Sequence, residues 1–269
     1  MSEVKAIKKA KVPVTLEMIK TGLVKIGVKQ GDLLLVHSSL SKLGWVCGGP
    51  QTVIMALIEV LGDSGTLVMP SHSGDWSDPS QWAHPPVPAE WIPIIKATMP
   101  AYDPFLTATR GMGRIAELFR TLPNVKRSLH PQLSFCACGP LADTIVGGQD
   151  LFPQLGINSP LGELYKNHAK VLLLGVGYDS NTCFHLAETL LPNIPKNKCG
   201  TAMMINGHRE WVEFTDVSYE SDDFAACGKA FEKTHPVKKS KVGYGQSRLF
   251  QIEEAVHFAT EWIKQNRSL

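Results

Sequence analysis

The 269-residue sequence is short of several things, and each shortage removes a class of function. No apolar run approaches the roughly 20 residues that a bilayer-spanning helix needs. The basic opening, MSEVKAIKKAKVPVTLEMIK, has no apolar segment behind it, so neither a membrane partner nor a secretory leader is expected and a cytoplasmic location is. The charge is close to balanced, 27 Lys and Arg against 25 Asp and Glu, which leaves no footprint for a nucleic acid. Six cysteines include no C-x-x-C pair. Cys136 and Cys138 alternate along an expected strand and so point to opposite faces, which fits reduced thiols. The P-loop, the G-x-S-x-G elbow and H-E-x-x-H are absent. Gly175-Val176-Gly177 lacks the third glycine of a dinucleotide fingerprint. No repeat of solenoid period is found.

What is present is enough apolar sequence for a sizeable core: 43% of residues are hydrophobic and 19% charged. Apolar strands at Leu33–Val36, Thr66–Met69, Leu133–Cys138 and Val171–Val176 alternate with helical patterns at residues 14–28, 50–61, 113–122, 140–145 and 160–167. The βα alternation predicts an α/β fold, a mixed and mostly parallel central sheet between layers of helices. Two early strands end in similar text, His37-Ser38-Ser39 and Pro70-Ser71-His72-Ser73, and their ends are expected at one sheet edge. Residues 74–108 hold Trp76, Trp82, Trp91 and seven prolines; such a stretch inside a domain reads as a functional excursion rather than a linker. Later, Cys199–Asn206 and Glu210–Thr215 read as strands joined at Asn206-Gly207. Phe224–Lys233 reads as a helix, residues 238–245 as a basic turn, and Phe250–Gln265 as an amphipathic helix with Ile252, Val256 and Ile263 inward. The whole, 1–269, is expected to be one domain.

Chemistry concentrates in Val171–Pro192, where a buried strand stops at a polar glycine turn and a short helix follows. Strand ends of this kind hold ligands in α/β proteins. His185 and Glu188 lie one helical turn apart. An imidazole oriented by a carboxylate is a general base, and the competing reading is a histidine satisfied within the core. For Glu188 the competing reading is a solvated helix carboxylate. Asp179, Asn181 and Thr182 suit either turn and cap chemistry or substrate contact. Ser38, Ser39, Leu40, Ser41, Gly44, Trp45 and Val46 follow a strand and offer hydroxyl and N–H donors. Thr109, Arg110, Gly111, Met112 and Gly113 combine a cation, flexible glycines and a helix start, which suits phosphate or pyrophosphate. A metal site would need His37, His72 and His185 to converge, and no ligand spacing in the sequence requires it; none is expected.

The segments HSSLSKLGW, GTLVMPSHS, DPSQWAHPPVPAEW, TATRGMGRIAELFR, RSLHPQLSFCACG, SPLGELY and VLLLGVGYDSNTCFHLAE resemble, in order, the aminoglycoside 3-N-acetyltransferase family, over about residues 14–265 and closest to its Bacillus-like members. The resemblance implies an αβα sandwich with a smaller appended subdomain. It implies acetyl-coenzyme A as co-substrate, transfer to the 3-amino group of a 2-deoxystreptamine aminoglycoside, and a role in antibiotic resistance. Carried over by position, His185 would be the base and Glu188 its partner; Asp179 and Thr182, just before that helix, are added as catalytic candidates on the reading of the turn itself. His37 through Ser41, Gly44 through Val46 and Thr109 through Gly113 would hold coenzyme A. The polycationic substrate should meet carboxylates, with Asp75, Asp78, Glu90, Asp103, Asp179 and Glu188 the candidates. Some members acetylate other amines, so a different small amine, such as a phosphonate natural product, is the first alternative. A metal-dependent hydrolase on His37, His72 and His185 and a non-catalytic acyl-coenzyme A binder are the others. A homodimer is left open.

Overall fold

The structure, a computed structural model, describes residues 3–268. Its strands are β1 (Leu33–Ser38), β2 (Thr66–Pro70), β3 (Lys126–Arg127), β4 (Phe135–Cys138), β5 (Lys170–Leu174), β6 (Lys196–Ile205), β7 (His208–Val217), β8 (Lys238–Val242) and β9 (Gly245–Gln251). Its helices are α1 (Glu3–Lys9), α2 (Leu16–Ile26), α3 (Gly49–Leu61), α4 (Ile92–Thr98), α5 (Gly113–Phe119), α6 (Ala142–Val146), α7 (Pro160–Lys166), α8 (Cys183–Thr189), α9 (Phe224–Thr234) and α10 (Ile252–Asn266). The main sheet runs β3-β4-β2-β1-β5-β9-β8.

The central strands carry unbroken apolar runs, Leu33–Val36, Leu67–Pro70 and Val171–Leu174, because both sheet faces are covered, and their polar residues sit at the strand ends. Their alternate residues go to opposite layers. Leu35, Val68, Phe135, Val171 and Leu173 face α6 to α10, whereas Leu34, Val36, Leu67, Met69 and Leu172 face α2, α3 and α5. This is the expected αβα sandwich. Parallel pairing joins β1 to β2 and to β5, with Leu35 opposite Val68 on one side and Val171 on the other. The outer strands β3, β4, β9 and β8 pair antiparallel, so the parallel part of this mixed sheet is confined to its centre.

Local signals account for the helix ends. Thr15 caps α2 by accepting from the Met18 N–H, and Ser159 caps α7 by accepting from the Gly162 N–H. β6 and β7 form a separate two-stranded hairpin, turned by Asn206 at φ 51° and Gly207 at φ 82° as the Asn-Gly pair predicts. The 74–108 excursion is less irregular than its prolines suggest, since it contains α4. It is pinned by Trp76 Nε1–H to the Pro100 carbonyl and by Trp82 Nε1–H to Ser77 Oγ. A backbone bond from the Tyr102 N–H to the Ala202 carbonyl docks it on the hairpin. Two expectations are corrected. The basic stretch 238–245 is not merely a turn but the hairpin of β8 and β9, and the closing helix starts at Ile252, Phe250 belonging to β9. No helix among the described residues is long and apolar enough to cross a membrane.

Candidate active site

Because β1, β2 and β5 run parallel and adjacent, Ser38, Pro70 and Leu174 end together. The loops that follow are tied there by backbone bonds, Ser39 to Leu174, Ser71 to Ser134, Ser73 to Gln132 and Arg110 to His72. Above them lies a cavity of about 400 Å³ lined by His37, Ser38, His72, Asp179, Thr182 and His185, among others.

His185 points into this cavity from the first turn of α8, its side chain 17% exposed. Its Nδ1 is 2.6 Å from Glu188 Oε2, which leaves Nε2 for the cavity. Glu188 is fully buried and its other oxygen accepts from the Glu220 N–H at 3.1 Å and from Arg267. Arg267 is chelated in turn by Asp223 at 2.7 and 2.6 Å. Burial opposes the charge of Arg267, but its hydrogen bonds to Asp223 and Glu188 outweigh that and hold its pKa up. The imidazole is walled edge-on by Tyr219, centroids 5.2 Å apart, and by Phe224 at 4.7 Å. Thus the i,i+3 spacing does produce a carboxylate-held imidazole, and Glu188 is not a solvated helix residue.

The nearby imidazoles behave differently. Burial first, and then the neighbouring His185, pushes His37 down to about 3. His72, its Nε2 sealed from solvent, is lowered to about 3 for the same two reasons and by the nearby His37, His130 and Arg127. Both are neutral in the folded protein at any ordinary pH. In the unfolded chain they take a proton near pH 6.5, so the stability they contribute is complete above that value and drains away as pH falls towards 3. Thermal melts between pH 7.5 and 5 should show Tm falling with acid, and less steeply for His37→Asn. An unchanged slope in that variant would show that His37 does not contribute.

A second cavity of about 480 Å³ adjoins the first. It is lined by Ser38, Ser39, Leu40, Ser41, Gly44, Trp45 and Val46 from the β1–α3 connection and by Gly111, Met112 and Gly113 before α5. Thus the segments predicted to hold a cofactor form one channel, with three departures. His37 is turned into the His185 cavity. The Thr109 N–H and hydroxyl are engaged by Glu117, at 3.0 and 2.6 Å. Arg110 ion-pairs with Asp75 and donates to the His84 carbonyl, beside a separate small cavity under Trp82. Ser38, Gly111, Met112, Val176 and Ser180 line both the His185 cavity and the channel, so the two communicate.

The predicted acidic wall is only partly assembled. Asp179 is exposed at the cavity. Asp75 is paired with Arg110. Asp78 is buried against Lys96 at 2.7 Å, and its carboxyl is held below the usual carboxylate range although burial works the other way. Asp103 accepts from the N–H groups of Phe105 and Leu106, and Glu90 is exposed on the excursion. Three imidazoles do face one space, but among the described residues no group of three His, Cys, Asp or Glu side chains is placed to hold a metal ion. Sequence reasoning missed Tyr219, Phe224, Asp223 and Arg267 around the imidazole, all from segments far along the chain with no local signature.

Residues 35–264 match the family described as aminoglycoside 3-N-acetyltransferase. A Bacillus subtilis relative, the SPbeta prophage-derived aminoglycoside N(3')-acetyltransferase-like protein YokD, is 46% identical over 98% of this chain and 97% of its own. The crystal structure of YokD superposes with a TM-score of 0.96 at 45% identity, covering 98% of both chains. Aminoglycoside N(3)-acetyltransferase IX of Micromonospora chalcea is 31% identical over 98% of each chain. The structure of AAC-IIIb as a binary complex with CoASH matches at TM-score 0.82 and 25% identity, over 96% of this chain and 100% of that one.

Proposed function

The chain belongs to the aminoglycoside 3-N-acetyltransferase family and is an N-acetyltransferase, and we propose that it transfers acetyl from acetyl-coenzyme A directly to the 3-amino group of a 2-deoxystreptamine aminoglycoside, with His185 as general base. The observation that supports this best is the meeting of the two cavities. One ends at a carboxylate-held imidazole, the other is a channel of hydroxyls, glycines and Trp45, and they share Ser38 and Gly111. The CoASH complex of AAC-IIIb supports the choice of co-substrate.

The chemistry suits the geometry. A sugar amine is largely protonated at neutral pH and must lose a proton to attack a thioester. Nε2 of His185 accepts that proton while Glu188 stabilises the imidazolium through Nδ1. As the C–N bond forms and the C–S bond breaks, the nitrogen gives up a second proton; one of the two ends on the departing thiol and the other leaves to solvent, so that ammonium and thioester become amide, thiol and one released proton. Ser38 and Thr182 offer hydroxyls at the cavity to the oxygen that gains charge. No covalent enzyme intermediate is required. The excursion 74–108, expected to form a wall on the substrate side, contributes none of the residues that line the His185 cavity and instead lines the separate small cavity beside Arg110.

Asp179 is the free carboxylate of the cavity, so it carries recognition of the cationic substrate. Asp179→Asn should raise KM for the amine about fivefold, the value of one exposed charge pair, and leave KM for acetyl-coenzyme A unchanged. Equal KM values in both proteins would remove Asp179 from the substrate site. Because Asp75 and Asp78 are already paired, the wall is less acidic than a polycation would favour, and this supports a smaller amine as the second reading. Thiol release measured across aminoglycosides and simple amines decides between them, and NMR of the product locates the acetyl group.

A further inference from the structure

We propose that Arg267 is a positioning residue of the active site, fixing Glu188 and limiting how strongly that carboxylate draws a proton onto His185. The inference rests on His185 being the base. Glu188 has two oxygens and two cationic or potentially cationic partners. Oε2 meets His185 Nδ1 at 2.6 Å, and Oε1 meets the Arg267 guanidinium. A fully buried carboxylate has no water to share its charge, so what one partner takes the other loses. Arg267 is itself fixed by both oxygens of Asp223 and by the Glu220 carbonyl, and its guanidinium lies 5.9 Å from the centre of the Phe224 ring that also packs on His185. A surface arginine would not be held on so many sides.

The remaining groups that face this pair are few. From β1 and the β2 end come His37 and His72, both neutral. Asp179 precedes α8, and Cys183 lies on it with its thiol pushed far up by burial. From beyond β7 come Tyr219, raised by burial, with Glu220 and Asp223. Cys227 of α9 is raised to about 12 by burial. α7 and α10 also pack on α8: Glu163 and Lys166 of α7 are paired with each other, and on α10 Glu253 meets His168, His257 meets the Tyr165 hydroxyl, Glu261 meets Lys264, and Glu254 is the remaining carboxylate. Arg267 at the end of α10 is the permanent cation of the set, and among the described residues no other cation pairs with Glu188.

The test uses the intact protein and two readouts: the pH profile of kcat/KM in the thiol-release assay, and the NMR titration of the His185 imidazole. Arg267→Gln should move the acid limb and the imidazole midpoint up together by about one pH unit, the effect of one nearby charge. Arg267→Lys should return both towards the parent values. Asp223→Asn, which leaves the guanidinium to Glu188 alone, should move them down, and it serves if Arg267→Gln does not fold. A loss of rate that is uniform in pH, with the midpoint unmoved, overturns the proposal and makes Arg267 a structural ion pair. Full activity in His185→Gln would instead refute the base assignment, and the imidazole midpoint would still decide the role of Arg267.

Discussion

His185→Gln should lower kcat at pH 7 by at least about a hundredfold while coenzyme A binds as before. The size follows from the role. A positioned base contributes roughly 10²- to 10⁴-fold, and glutamine keeps a polar side chain of similar reach without accepting the proton. Retained binding follows from the architecture, because the channel is built by Ser38–Val46 and Gly111–Gly113, whereas His185 stands on α8 in the neighbouring cavity. Neither wall of the channel depends on the imidazole. The two quantities are separately measurable, turnover by thiol release and binding by calorimetry with coenzyme A. A variant with near-normal kcat would show that the amine loses its proton elsewhere. A variant that also loses coenzyme A would show that α8 helps to shape the channel.

The parts of this molecule that were legible in the sequence are those whose determinants are local. β1, β2 and β5 announce themselves because strands covered on both faces read as unbroken apolar runs between polar ends. The β6–β7 turn needs two residues at positive φ, and Asn-Gly supplies them. His185 and Glu188 are one turn apart on a short helix, so their contact is written in the spacing. β8 was hidden because it is an edge strand. KKSKV pairs on one side only and leaves its lysines in solvent, and such charge at an edge is how sheets avoid pairing with other chains. The acidic wall was overread for a related reason. Composition shows carboxylates near Trp76 and Trp82 but not which are already paired, and the partners of Asp75 and Asp78 lie 35 and 18 residues away. Arg267 is the extreme case, 79 residues from Glu188 and beyond the predicted end of its helix. Only the folded chain puts them together.

That long-range contact makes Glu188 the position where stability and catalysis are most tightly joined, and Glu188→Ala should show it. Removing the side chain takes away the acceptor of the Glu220 N–H, the partner of Arg267 and the anchor of His185 Nδ1 in one step. Breaking a buried ion pair from one side costs about 3–5 kcal/mol, because the stranded charge stays buried. In a domain of this size that corresponds to a fall in Tm on the order of 10 °C, read by scanning calorimetry. Asp223 remains to neutralise Arg267 and keeps the cost towards the lower end of that range. Glu188→Gln separates the two roles. It preserves the volume and can still accept from Arg267 and from the Glu220 N–H, so its Tm should lie between the two. Yet it cannot stabilise an imidazolium, so its kcat should fall at least tenfold. If Glu188→Ala melts within a degree or two of the parent protein, the carboxylate is not the buried hub that its contacts describe. If Glu188→Gln keeps full activity, the imidazole needs no anionic partner, and the base would then work through its own ring and the cavity around it.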